Sequence, residues 1–281
     1  MRNTTPRTLI QWFSILSAIV FSSSLAAQEF GGNPDPEVFE KPSYSPYAGR
    51  NFPDNVYWGD THLHTTLSFD AGAFGNRLGP RDAYQFARGD EITSTGGYKV
   101  KLSRPLDFLV VADHSDNMGL FTRIFESDPD ILSDKEGRRI HDAIKAGGQL
   151  AVAASVELID AFSRGVSISD ALAVEPGSPA FTSTWERIVN AAREYNKPGQ
   201  FTAFIGYEWT SLVNTGDNLH RVVIYRDGSD LALRHEPYTT IAPLGSPDPM
   251  DLWKWMSNYE NQSGGNVLAI AHNGNMSNGI M

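Results

Sequence analysis

The 281-residue chain contains no cysteine, and this one absence removes three classes of chemistry. Disulfides, thiolate metal sites and a cysteine nucleophile are all excluded, so any metal must be held by His, Asp and Glu. Positive charge is also scarce. The 23 Lys and Arg stand against 33 Asp and Glu, for a formal net charge of −10. Such a surface is a poor non-specific partner for nucleic acid, because Lys and Arg must displace the phosphate counterions. The sequence has no Gly-x-x-x-x-Gly-Lys-Ser/Thr loop, Gly-x-Gly-x-x-Gly turn or Gly-x-Ser-x-Gly elbow. Phosphate loops, dinucleotide sites and serine elbows therefore find no support. What is present is globular: 41% hydrophobic and 20% charged residues, too apolar for a disordered chain.

Arg2 and Arg7 flank the start of a mostly apolar stretch from Leu9 to Phe21, and the small residues Ser24, Ala26 and Ala27 follow. That order reads as a secretory signal peptide over residues 1–27, with an uncleaved membrane anchor as the alternative. The stretch falls short of the roughly 20 residues a bilayer span requires, so no stable membrane insertion is expected. Cleavage would leave 33 acidic against 21 basic residues, a charge of −12. The expected location is periplasmic or secreted. Residues 28–54 read as an extended Pro/Gly-rich arm, since Pro34, Pro36, Pro42, Pro46 and Pro53 exclude regular structure over most of it.

From Asn55 onward short apolar runs alternate with helical patterns. Strands are expected at Val56–Asp60, Leu106–Ala112, Phe201–Tyr207, Arg221–Tyr225 and Asn266–Ala271. Helices are expected after Gly79-Pro80, over Trp185–Tyr195 and over Asp248–Tyr259. The alternation implies an α/β fold with a parallel sheet or barrel. Residues from about 121 to 180 break the rhythm with two helical stretches, Leu132–Lys145 and Ala151–Phe162. They read as a helical insertion, either a wall or lid for a site or a structural cap.

The chemistry gathers at the strand ends. His62 and His64 are two apart in extended backbone and so aim at one side. His114 follows the second strand, Glu208 and His272 end the third and fifth, and His220 starts the fourth. Five of the seven histidines are thereby used. Gathering so many ionisable groups is costly unless a cation compensates. Asp60 and Asp113, each near a ligating His, are candidates to fix an imidazole tautomer or to assist catalysis. Asp70 lies in a loop with Gly72 and Gly75 and is open to either ligation or a turn role. His141 and His235 are expected on the surface.

In order, His62-x-His64, Asp70, Asp113-His114, Gly206-x-Glu208, His220 and Ala271-His272 resemble the PHP (polymerase and histidinol phosphatase) superfamily of metal-dependent phosphoesterases. The wording Gly59-Asp60-Thr61-His62-Leu63-His64-Thr65 and His272-Asn273-Gly274-Asn275 resembles its exported DUF3604 branch more closely still. The likeness runs from Asn55 to the C-terminus, the helical insertion aside. It implies a distorted (β/α)7 barrel with two or three divalent cations, Zn, Mn or Fe, at the strand ends. Carried over by position, His62, His64, Asp70, His114, His220 and His272 would be ligands and Glu208 a bridge.

One element of the pattern is missing. The family completes its site with an Asp-x-His pair on a late strand, and the one such pair here, Asp60-Thr61-His62, already belongs to the first motif. About five core strands are expected, and the chain stops nine residues after His272. The chain therefore reads as the N-terminal part of a longer protein with an incomplete barrel. Three functions compete: a metal-dependent phosphoesterase acting on a small molecule, another metallo-barrel hydrolase of the amidohydrolase kind, and a non-catalytic metal-binding module. Arg77, Arg81 and Arg221 are phosphate contacts by proximity alone.

Overall fold

The computed structural model describes residues 55–214 and 216–281. The signal-peptide and arm readings, residues 1–27 and 28–54, lie outside the described residues. In chain order the elements begin with β1 (Gly59–Leu63), α1 (Phe69–Ala73), α2 (Pro80–Ala87), β2 (Ile92–Thr93), β3 (Lys99–Val100) and β4 (Phe108–Val111). A helical run follows: α3 (Leu120–Phe125), α4 (Pro129–Ser133), α5 (Lys135–Ala146), α6 (Gly148–Ser163) and α7 (Pro179–Tyr195). The rest comprises β5 (Thr202–Trp209), β6 (Leu212–Val213), β7 (Asp217–Asn218), β8 (Arg221–Tyr225), α8 (Ser229–Ala232), α9 (Pro249–Ser263) and β9 (Val267–Ala271). No helix among the described residues is long and apolar enough to cross a membrane.

The fold is mixed α/β around a five-stranded sheet in the order β1-β4-β5-β8-β9. β1, β4 and β5 are parallel, whereas β8 is antiparallel to β5 and β9 antiparallel to β8. This corrects the all-parallel expectation, and chain length supplies the reason. Only residues 210–220 link β5 to β8, and much of that link forms the hairpin β6–β7. A parallel return needs a crossover of a dozen residues or more, usually a helix. The first strand also differs from its expected position. Val56, Tyr57 and Trp58 are exposed outside it, and His62 lies inside it.

Helix boundaries follow local chemistry. Pro80 opens α2, and the Asp82 carboxylate reaches back to the Gly79 amide at 2.8 Å. Asp134 and Asp248 accept from Gly137 and Met250 at the starts of α5 and α9. Gly264, at φ 73°, stops α9 in the left-handed conformation that glycine adopts without a Cβ penalty. The two helical stretches expected between 121 and 180 are α5 and α6, with the short helices α3 and α4 before them. His141, expected on the surface, is buried on the core side of α5 beside Ile140 and Ile144, with Ser127 Oγ 3.0 Å from its Nε2. His235 is half-buried with its ring against Tyr259.

Strand alternation splits the sheet into two faces. Leu109, Val111, Ala203, Ile205, Tyr207, Trp209, Val223 and Tyr225 belong to the large core under the helices, with Trp185 and Tyr259 fully buried among them. The intervening residues Val110, Ala112, Val222 and Ile224 form a separate small cluster with Phe204. Gly206 lies on this second face, where a Cβ would meet Val110 Cγ1 at 2.5 Å and the Val223 carbonyl at 2.9 Å. Only glycine lets the central strands approach there. Along the same alternation, the second face leads at one edge of the sheet to His62, His64, His114, Glu208, His220 and His272.

Candidate metal centre

Glu208 is the centre of the site. It sits near the end of the long strand β5, fully buried. Its Oε2 lies 2.8 Å from His62 Nε2 and 2.7 Å from His64 Nε2. Its Oε1 lies 2.7 Å from His220 Nδ1, 2.9 Å from His272 Nε2 and 3.8 Å from His114 Nδ1. The five imidazoles close a ring around the carboxylate. Successive centroids are 4.8 Å (His62–His64), 4.6 Å (His64–His114), 5.1 Å (His114–His220), 6.0 Å (His220–His272) and 4.0 Å (His272–His62) apart.

The topology explains how residues so distant in sequence meet. His62 lies in the parallel strand β1 and His64 just follows it, His114 follows β4, and His272 follows β9. His220 precedes β8, and because β8 runs the other way its N-terminal end shares the edge where β1, β4 and β5 finish. Backbone bonds clip the central pair: Ser115 N donates to the Glu208 carbonyl at 2.8 Å, and Glu208 N to the Asp113 carbonyl at 2.9 Å.

Asp70 also joins the site, from the first turn of α1 rather than from a loop. Its Oδ1 is 3.0 Å from His64 Nδ1, and its Oδ2 is 3.6 Å from His114 Nε2. Asp113 lies close by but touches no imidazole; it accepts from the Thr65 amide at 2.5 Å and the Thr65 hydroxyl at 2.7 Å. Asp60 is exposed, and its carboxylate accepts from the His62 amide rather than facing a ring. Two hydroxyls that the sequence reading did not single out do reach ring nitrogens. Thr210 Oγ1 is 2.9 Å from His114 Nδ1, and Ser68 Oγ is 3.2 Å from His64 Nδ1 while donating to Asp70 at 2.6 Å. Each sits two residues from a charged member of the site, and that proximity was the available signal. Arg77 stacks on Phe125 and Arg81 pairs with Glu194, so neither is among the groups around Glu208.

The electrostatics follow from this packing. Burial works against the Glu208 carboxylate, yet the charge of His114 and the close approach of His220, His272 and His62 hold its pKa well below the usual range. Burial likewise opposes charge on His64, but hydrogen bonds to Asp70 and Glu208 prevail and push its pKa up to about 10. For His220 burial wins and the pKa falls. Asp113, fully buried, is raised to about 6 despite its bonds to Thr65.

These donors suit cations. His220 Nε2 and His272 Nδ1 are buried without a partner, and His272 Nε2, though close to Oε1, makes no aligned hydrogen bond. Buried polar atoms without partners are uncommon, and imidazole with carboxylate is the donor set of Zn²⁺, Mn²⁺ and Fe sites. Among the described residues, three groups bring their ligand atoms within 4.8 Å of one another: His62–His64–Glu208, His64–Asp70–His114 and His114–Glu208–His220. A neutral imidazole offers one nitrogen lone pair, so His64 cannot ligate through both nitrogens at once. With its Nδ1–H directed to Asp70, its Nε2 serves the first group. The first and third groups then use opposite oxygens of Glu208.

A family model matches residues 51–281, most of the chain. The chain belongs to the DUF3604 family. That family's description is "Protein of unknown function". No curated protein and no solved structure matches this DUF3604 chain.

Proposed function

We propose that this protein is an exported metal-dependent hydrolase of the PHP type, a phosphoesterase acting on a small molecule. The observation that carries the reading is one fully buried carboxylate, Glu208, inside a closed ring of five imidazoles. His62, His64 and Glu208 Oε2 would hold one cation; His114, His220 and Glu208 Oε1 a second, with His272 beside them and Asp70 available to a third. When bound, such cations supply Lewis-acid activation of water and of substrate oxygens.

The remaining work falls to the chain. Glu208 bridges the two ligand groups and brings negative charge where several imidazoles converge. Asp70 fixes the His64 tautomer by accepting from Nδ1, and the Thr210 hydroxyl, 2.9 Å from His114 Nδ1, restrains the orientation of that ring. Asp113 and Thr65 tie the end of β1 to the end of β4, which sets the spacing between His64 and His114. Together these contacts preorganise the donors, so the cost of assembling them is met during folding and not during the reaction.

The test is elemental analysis of protein purified without chelator, with a generic phosphoester assay alongside. Two or three equivalents of metal are expected, lost in a His62→Ala/His64→Ala double variant. Hydrolysis should disappear in Glu208→Gln. Less than one equivalent in the wild type would overturn the metal reading. Metal binding without phosphoester cleavage would overturn the reaction and leave a binding protein.

A further inference from the structure

A cleft of about 460 Å³ opens beside the metal centre, within the range of small-molecule sites. One residue belongs to both. Thr210 lines the cleft, and its hydroxyl sits 2.9 Å from His114 Nδ1. The far wall comes from the helical insertion: Phe162 near the end of α6, Val166 in the following turn, and Glu175. The near wall comes from the segment around Thr240 and Ile241. It is fastened to the floor because Asp116 accepts from both the amide and the hydroxyl of Thr240, at 3.0 and 2.5 Å.

The lining has a definite polarity. Among the described residues that line it there is no Lys or Arg, while Glu175 offers an exposed carboxylate and the fully buried Asp116 has its oxygens taken up by Thr240 and Ser115. The nearest arginine in sequence, Arg164, is held by Asp160 at 2.8 Å. Asn117 is fixed at φ 54°, its Oδ1 accepting from Val174 N at 3.0 Å, and its amide nitrogen has no partner among the described residues. The cleft therefore offers an amide donor, hydroxyls, apolar surface and negative charge. A second anionic group entering it would meet the Glu175 carboxylate with no Lys or Arg in the lining to offset it, and that repulsion disfavours it.

We propose that this cleft seats the non-reacting part of the substrate, and that it accepts an uncharged or cationic polar moiety and rejects an anionic one. The assignment of a substrate rests on the hydrolase reading above; the polarity of the cleft does not. It would give the helical insertion its role as a specificity wall and would set nucleotide polyphosphates and phosphorylated acids outside the substrate class.

The test begins with binding to chelator-treated protein, so that no metal captures an anion. The probes are choline, the uncharged alcohol with carbon in place of its nitrogen, and the corresponding carboxylate, followed by saturation-transfer NMR. Choline and the alcohol should bind at least about tenfold more tightly than the carboxylate. Glu175→Lys should cut choline binding about fivefold or more and spare the alcohol, and Val166→Trp should weaken both by filling the mouth. Both positions are exposed, so circular dichroism is expected to stay unchanged. Equal or tighter binding of the carboxylate, no binding of any probe, or indifference to Val166→Trp overturns the proposal. A second arm compares hydrolysis of phosphocholine and phosphoglycolate by metal-loaded protein. Choline binding without cleavage of either ester would sink the phosphoesterase reading and leave the cleft standing. Cleavage of phosphoglycolate as fast as phosphocholine would sink the cleft and leave the phosphoesterase.

Discussion

The two faces of the central sheet are made from alternate residues of the same strands, and they carry opposite chemistry. On the helix-covered face Ile205, Tyr207 and Trp209 of β5 pack into a continuous apolar core. On the other face Phe204 and Gly206 lead from a small apolar patch to the fully buried Glu208 carboxylate and its ring of five imidazoles, of which His114 and His220 are buried. The first face gains stability from area removed from water. The second gathers polar groups whose burial is unfavourable unless something compensates. The difference separates the part of the molecule that holds it together from the part whose donors could hold a metal ion.

That contrast can be broken most sharply at Glu208. Glu208→Gln removes the bridge and should lower kcat/KM for a phosphoester by at least about a thousandfold, roughly 4 kcal/mol of barrier. Steady-state kinetics and metal content measured together would check it, and retention of both full activity and full metal would refute the role. Trp185→Ala strikes the opposite face, where the indole is fully buried between Tyr207 and Tyr225. It should cost about 3 kcal/mol in denaturant unfolding, with metal stoichiometry preserved in the folded fraction.

Removal of metal tests the second face without mutation. If the cluster binds a cation and the unfolded chain does not, saturation at about a hundredfold above Kd adds about 2.7 kcal/mol of stability. Chelation should lower Tm by a corresponding amount, and His62→Ala/His64→Ala should abolish the chelator effect. An unchanged Tm in wild type would deny the cluster that role. The smallest effect lies away from both faces. Asp128 caps α4, and its pKa is lowered chiefly by the hydrogen bond from Arg123. A depressed carboxylate stabilises the fold above its unfolded pKa and loses that contribution as pH falls through the folded value. Asp128→Asn should therefore cost about 0.5–1 kcal/mol at neutral pH and nothing once the wild-type carboxylate is itself protonated, well below pH 4. Urea unfolding at two pH values would read it.

The strands were legible because β4, β5 and β8 are near-continuous apolar runs, and the site residues because each stands at the end of one. His220 shows the limit. Its place before a strand reads as an exception until the antiparallel turn of β8 brings that end to the common edge. Asp60 and Asp113 show another. Proximity in sequence put each beside a histidine, yet backbone direction turned one to an amide and the other to Thr65. Ser68 and Thr210 went unmarked because a hydroxyl's partner depends on tertiary approach, and hydroxyls are common.

By itself the sequence determined which residues were available for the chemistry: no thiolate, histidines at strand ends, one buried glutamate, and the period-2 alternation that keeps them on one face. Only the tertiary structure decided how they meet. The short link after β5 reverses β8, and that reversal closes the imidazole ring around Glu208. Tertiary packing also sets Phe162, Val166 and Glu175 opposite Thr240 to form a cleft. Local pattern fixes which way a side chain points along its own strand, whereas the direction and order of strands are set by loop length and packing between distant segments.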